Sequence, residues 1–253
     1  MASVKETIES GITPIVLEFS KINFFESEEK LARSFLTINS LDLGVLTYEQ
    51  YRFVARRTKQ GNHLVERPLQ KLFRIIALQL DERPDVSCYT IPAYARLLKD
   101  GELAAMIVEA MAMYPEVSPD KVCIELSADI LYEDLEMARS GINQLRELGL
   151  KIALCEVGDE FCPVFRLSEL PFDYAFMDKY STASLDRDDC ERVAGSLVGY
   201  LHHLNVKVIA PGLDSEEKIA GAKQIGCDGY TSYDEVSTYA EGGAVSNEET
   251  LLN

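Results

Sequence analysis

The sequence predicts one α/β domain built as a closed (β/α)8-like barrel. Three observations carry this. Five strand-like segments alternate with helical ones from residue 122 onward, and repeated βα units impose parallel strands with right-handed crossovers. Two earlier strand-like segments, 13–22 (TPIVLEFSKI) and 31–39 (LARSFLTIN), lie only eight residues apart. That is too short for a helical crossover, so the pair is expected to run antiparallel. A strand at 87–93 brings the count to eight. An open doubly wound sheet is the alternative, but no glycine-rich phosphate loop follows any strand.

Taken in order, residues 1–10 form a short helix or a frayed end. After the antiparallel pair, 47–59 reads as a helix with Tyr51, Val54 and Ala55 on one face, and 63–80 as a longer one. The strand at 87–93 is followed by helices over 94–114 and a turn at 115–119. Strands then fall at 122–126, 151–156, 174–178, 207–210 and 229–232, with helices at 130–148, 187–204 and 215–225. Gly149, Asn205 and Gly226 sit just past those three helices, where a left-handed stop residue belongs. The domain is expected to span residues 1–240, and the polar tail 241–253 to be disordered.

The chain has 253 residues and a net charge of −17. That charge argues against nucleic acid and anionic membrane surfaces as partners. No apolar run approaches the ~18 residues needed to span a bilayer. MASVKETIESG lacks the cationic start and apolar core of a secretory signal, so a cytoplasmic location is expected. Six cysteines occur without a C-x-x-C pair; they read as reduced core thiols, not zinc ligands, and no cofactor is expected.

In barrels of this type the C-terminal strand ends carry function, because the strand-to-helix loops meet there. Those ends present Glu125, Cys155, Glu156, Asp178 and, after a later strand, Asp214. Converging carboxylates can hold Mg²⁺ or Mn²⁺ for phosphoester hydrolysis; they can equally cap helices or face solvent. His63, His202 and His203 read as helix-end surface residues, and Cys155 has no cationic sequence neighbour to activate it. Phe161, Cys162, Val164 and Phe165 make the loop after Gly158 unusually apolar: core packing or a contact surface.

INQLRELGLKIALCEVGDEFCPVFRLSELPFDYAFMD resembles the L-x-x-x-G-x-x-I-A-x-DDFG and L-x-x-L-P-x-D-x-x-KID stretches of the EAL domain, the cyclic di-GMP phosphodiesterase family of bacteria. VKVIAPGLDSEEKIAGAKQIGCDGYTSY is similar to its V-I-A-E-G-V-E and Q-G-Y segments. TPIV resembles Q-P-I-V, and LGVLTYEQYRFVAR resembles G-x-x-x-P-x-x-F-x-x-x-A-E. The resemblance implies a modified TIM barrel whose first strand is antiparallel, and a two-metal phosphodiesterase site. It places Ser34 at the metal-binding Glu of E-A-L and Ile38 at a phosphate-contacting Arg. Pro92 falls at a metal-binding Asn, Cys155 and Glu156 at the paired Asp, Phe176 at the Lys of KID, Pro211 at a Glu and Thr231 at a Gln. Glu125 and Asp178 match. Hard oxygen ligands and the ammonium are thus missing. The expectation is a catalytically inactive EAL-like signalling protein acting through protein contacts at Phe161, Val164 and Phe165, as a homodimer or with another protein. Glu125, Glu156 and Asp178 would line a vestigial pocket, binding cyclic di-GMP weakly or not at all. The alternatives are a non-hydrolysing ligand receptor and a re-purposed enzyme.

Overall fold

A computed structural model describes residues 4–9, 15–40, 42–58, 62–80, 86–159, 162–185, 188–240 and 243–245. Eight strands close into a barrel: β1 (Ile15–Phe24), β2 (Leu31–Ser40), β4 (Cys88–Ala93), β5 (Val122–Ser127), β6 (Lys151–Val157), β7 (Tyr174–Met177), β8 (Lys207–Leu213) and β9 (Gly229–Ala240). β1 runs antiparallel to both its neighbours, β2 and β9, and the other barrel pairings are parallel. The short connection forces this, since six residues cannot carry the chain back along the barrel between Phe24 and Leu31. Gly229 sits at the closing seam, where any Cβ would come within 2.8 Å of the Asn23 carbonyl oxygen; only glycine lets β9 approach β1 so closely.

The helices pack outside: α1 (Val4–Glu9), α2 (Tyr48–Ala55), α3 (His63–Gln79), α4 (Glu102–Met113), α5 (Leu135–Glu147), α6 (Lys179–Ala183), α7 (Asp188–His203) and α8 (Glu216–Gln224). Asp134 caps α5 by accepting the Met137 N–H at 2.9 Å, and Ser215 caps α8 through the Lys218 N–H. Gly149, Asn205 and Gly226 have φ of +92°, +59° and +92°, as their stop positions require. Three small features were not foreseen: the hairpin strand β3 (Gly44–Leu46) on β2, the one-turn α6, and β10 (Gly243–Val245) on β9. The last lies in the stretch expected to be a disordered tail; the rest of 241–253 is outside the described residues.

Two apolar layers result. The larger lies between the barrel and the helices, and a smaller one fills the barrel interior, where Cys88, Cys123 and Cys155 sit as buried free thiols. At the N-terminal end the interior is closed by Glu29, which bonds Lys207 at 2.5 Å and the Tyr174 hydroxyl at 2.9 Å, with Lys151 at 3.7 Å.

Candidate functional site at the barrel mouth

Alternation along the strands decides which residues meet inside. On β5, Cys123 and Glu125 point inward; on β6, Cys155 does; on β7, Tyr174 and Phe176 do. On β2 the inward residues are Leu31 and Arg33. Ser34 therefore points to the other face, as do Leu36 and Ile38, which are buried in the layer beneath the helices. This corrects the placement that the motif resemblance gave. The β2 side chain that meets Glu125 is Arg33, not Ser34, and Ile38 faces the helices while Thr37 shares the face of Arg33.

The centre of the mouth is thus an internal ion pair. Arg33 Nε lies 3.0 and 3.2 Å from the two Glu125 oxygens, and Nη2 lies 3.0 Å from Oε2. The guanidinium stacks on Phe176 at 4.0 Å from the ring centroid and on Phe35 at 5.5 Å. Glu125 also accepts from the Thr90 hydroxyl at 2.5 Å and from the Cys155 thiol at 3.0 Å. Its lone pairs are filled, which lets a carboxylate 5% exposed stay buried. Burial works against the charge on Arg33, but the Glu125 carboxylate outweighs it and holds the guanidinium charged above its ordinary range. Burial, reinforced by Glu125, pushes the Cys155 thiol well up despite Arg33 beside it. Cys155 is therefore a neutral donor, not a thiolate nucleophile.

The other expected carboxylates do not join this centre. Glu156 has φ of +64°, a conformation costly for a residue with a side chain. It pairs with Arg52 of α2 and, at 3.4 Å, with Arg56, which caps the C-terminus of that helix. Arg56 also reaches the Tyr48 hydroxyl at 3.3 Å and lies 3.8 Å from Asp129. Asp178, read as the end of a strand, is instead the N-cap of α6 and accepts from the Tyr180 and Ser181 N–H groups. Asp214 is exposed and paired with Lys218 at 2.8 Å. Pro92 lies in register with Glu125 on the neighbouring strand but has no donor to offer it. Pro211 and Thr231 meet near the mouth through α6 and the β8 backbone: Thr182 donates to the Pro211 carbonyl at 3.2 Å, and Thr231 accepts the Gly212 N–H at 2.9 Å. His202 pairs with Asp228 at 2.9 Å near the end of α7, away from the mouth.

Of the expected contact residues, Val164 is half-buried against the core, Phe165 is 90% exposed, and Phe161 lies outside the described residues. Reading the sequence missed Arg33, Thr90, Arg52 and Arg56. The signal for Arg33 was there. Leu36 and Ile38 are the apolar positions of one strand face, and by parity they put Arg33 on the other.

Fold and site together define a modified TIM barrel with one reversed strand and its polar residues gathered at the C-terminal mouth. The EAL domain family model matches residues 29–231, and the chain belongs to that family. Among solved structures, PaMucR phosphodiesterase in complex with c-di-GMP superposes with a TM-score of 0.77 at 18% identity, over 93% of this chain and 94% of that one. The FimX EAL domain from Pseudomonas aeruginosa bound to c-di-GMP gives 0.77 at 14% identity, over 91% and 92%. A signaling protein of Caulobacter vibrioides is 26% identical over 114 residues, 45% of this chain and 14% of that protein. Signaling protein YkoW of Bacillus subtilis is 22% identical over 139 residues, 53% of this chain and 17% of that protein. The chain thus matches less than a fifth of the length of either relative. Among the described residues, no helix is long and apolar enough to cross a membrane.

Proposed function

We propose that the chain is an EAL-fold signalling protein that does not hydrolyse cyclic di-GMP and acts through protein contacts. One observation supports this most directly: the Glu125 carboxylate is already neutralised by Arg33. Two-metal hydrolysis needs several hard oxygen ligands around a pair of divalent cations. Here the neighbours of Glu125 are a guanidinium, a neutral thiol and the hydroxyl of Thr90, with the Phe176 ring stacked on the guanidinium. Arg33 supplies the positive charge that a metal would bring, and its own charge repels a cation from the same carboxylate. Glu156 and Asp178 are engaged elsewhere. The donor set does not fit a divalent metal, so no catalytic step through one is derived.

The same geometry weighs against tight binding of a dianionic dinucleotide. Four arginines described near the mouth have a carboxylate or carbonyl partner: Arg33 has Glu125, Arg52 and Arg56 have Glu156, and Arg96 has the Ala55 carbonyl. A phosphate that used one of these four would have to displace its partner. The test is incubation of the chain with cyclic di-GMP and Mg²⁺ or Mn²⁺, followed by chromatography for the linear dinucleotide. No product above the protein-free rate is expected. Steady turnover would overturn the reading.

A further inference from the structure

We infer that the exposed aromatic pair Phe165 and Tyr132, beside the barrel mouth, is a docking surface for a basic, apolar-anchored segment of a partner protein. This rests on the contact-based function proposed above and names the chemistry of the partner.

The two residues come from adjacent loops. Phe165 lies in the 3-10 turn Val164–Glu169 after β6, and Tyr132 ends the 3-10 turn Ala128–Tyr132 after β5. Arg166 bridges the turns by donating to the Glu133 carbonyl at 3.4 Å. Phe165 is 90% exposed and Tyr132 61% exposed. The turn beneath Phe165 is anchored, with Leu167 buried, Val164 packed on the core and the Arg166 N–H bonded to the Pro163 carbonyl at 2.8 Å. The ring is held out from a packed support, which lowers the entropy lost on binding.

The rim sets the partner. Glu133, Asp134 and Glu136 are exposed next to Tyr132, and Asp159 precedes the Phe165 turn; the basic residues beside them are Arg166 within that turn and Arg139, which is paired with Glu169 at its end. Exposed aromatic faces beside a surplus of carboxylates suit lysine and arginine, through cation–π contact and ion pairing, with an apolar side chain between them. The charge of −17 adds long-range attraction for such a segment. It opposes a second copy of this chain, because a twofold contact would set the same acidic rim against itself.

The probe is a short fluorescent peptide alternating lysine with leucine, titrated into the full chain and followed by anisotropy. Saturable, salt-sensitive binding is expected. Phe165→Ala, and separately Glu133→Lys with Glu136→Lys, should each weaken it about tenfold or more. Glu216→Lys with Glu217→Lys makes the same charge change on α8, across the barrel, and should leave affinity within about twofold. The inference fails if the peptide does not saturate, if the α8 reversal weakens binding equally, or if light scattering shows a dimer that Phe165→Ala dissociates. None of these outcomes bears on turnover of cyclic di-GMP, so the proposed function stands or falls separately.

Discussion

Replacing Arg33 with methionine keeps most of the side chain's length and removes its charge. Glu125 then loses three N–H contacts of 3.0–3.2 Å and keeps only the Thr90 hydroxyl and the Cys155 thiol. Charged hydrogen bonds taken singly, at about 1.5–3 kcal/mol each, would sum too high, because they share one desolvated pair. Removing one partner of a buried pair costs about 3–5 kcal/mol, since an uncompensated charge is left behind. For a domain of this size each kcal/mol moves the melting temperature by about 2–4 °C, so a fall of roughly 6–20 °C is expected. The double variant Arg33→Met, Glu125→Leu removes both charges and should cost less than half of what Arg33→Met costs alone, so its loss falls well short of the sum of the two single losses. Urea unfolding of the four proteins in the cycle measures this. If Arg33→Met lies within about 1 kcal/mol of the parent, or the two single losses simply add, the buried pair is not what organises the mouth.

The remaining expectations are more local. Ser34→Glu should produce no phosphodiesterase and should lower stability by several kcal/mol, because it sets a carboxylate among Leu36, Ile38 and their neighbours; a stable, active variant would show that position 34 faces the mouth. Ser34→Ala should be neutral or stabilising by up to about 1 kcal/mol, since its buried hydroxyl has no hydrogen-bond partner, and thermal melting checks this. Burial raises the Glu29 pKa, but the bonds from Lys207 and Tyr174 and the charge of Lys151 win and hold it below the ordinary value. A depressed carboxylate stabilises above its unfolded pKa and loses that contribution as pH falls through the folded one. The gap between the parent and Glu29→Gln should therefore be fully open near pH 7 and close below about pH 4; a gap unchanged across that range in urea unfolding would contradict the assignment. Gly141→Ala should cost about 1–3 kcal/mol, because the new Cβ would sit 2.6 Å from Leu98 Cβ where α5 meets the chain before α4; an unchanged urea midpoint would refute that contact.

The barrel was legible because its cues are long or strict. The βα rhythm after residue 122, the short β1–β2 connection and three left-handed helix stops each allow few alternatives. β3 and α6, with three and five residues, are too short to show a period, so they were not seen. In the site, Glu125 was legible as an inward strand-end carboxylate. Arg33 was missed because the letters of a motif were matched without the parity of the strand carrying them, and a slip of one residue moves every side chain to the other face. The partners of Glu156 were not legible: its φ is positive and it pairs with Arg52 and Arg56, which sequence spacing does not reveal. Asp178 and its helix cap depend on α6, the element that had not been seen.

The central claim is that an arginine holds the place a metal would need. Titration of Mn²⁺ into the chain by calorimetry, repeated with Arg33→Met, tests it most directly. The account predicts no stoichiometric Mn²⁺ binding in the parent, because Glu125 is bound to Arg33 while Glu156 and Asp178 are engaged by other partners. Saturation by one or two equivalents of Mn²⁺, lost on Glu125→Gln, would contradict it.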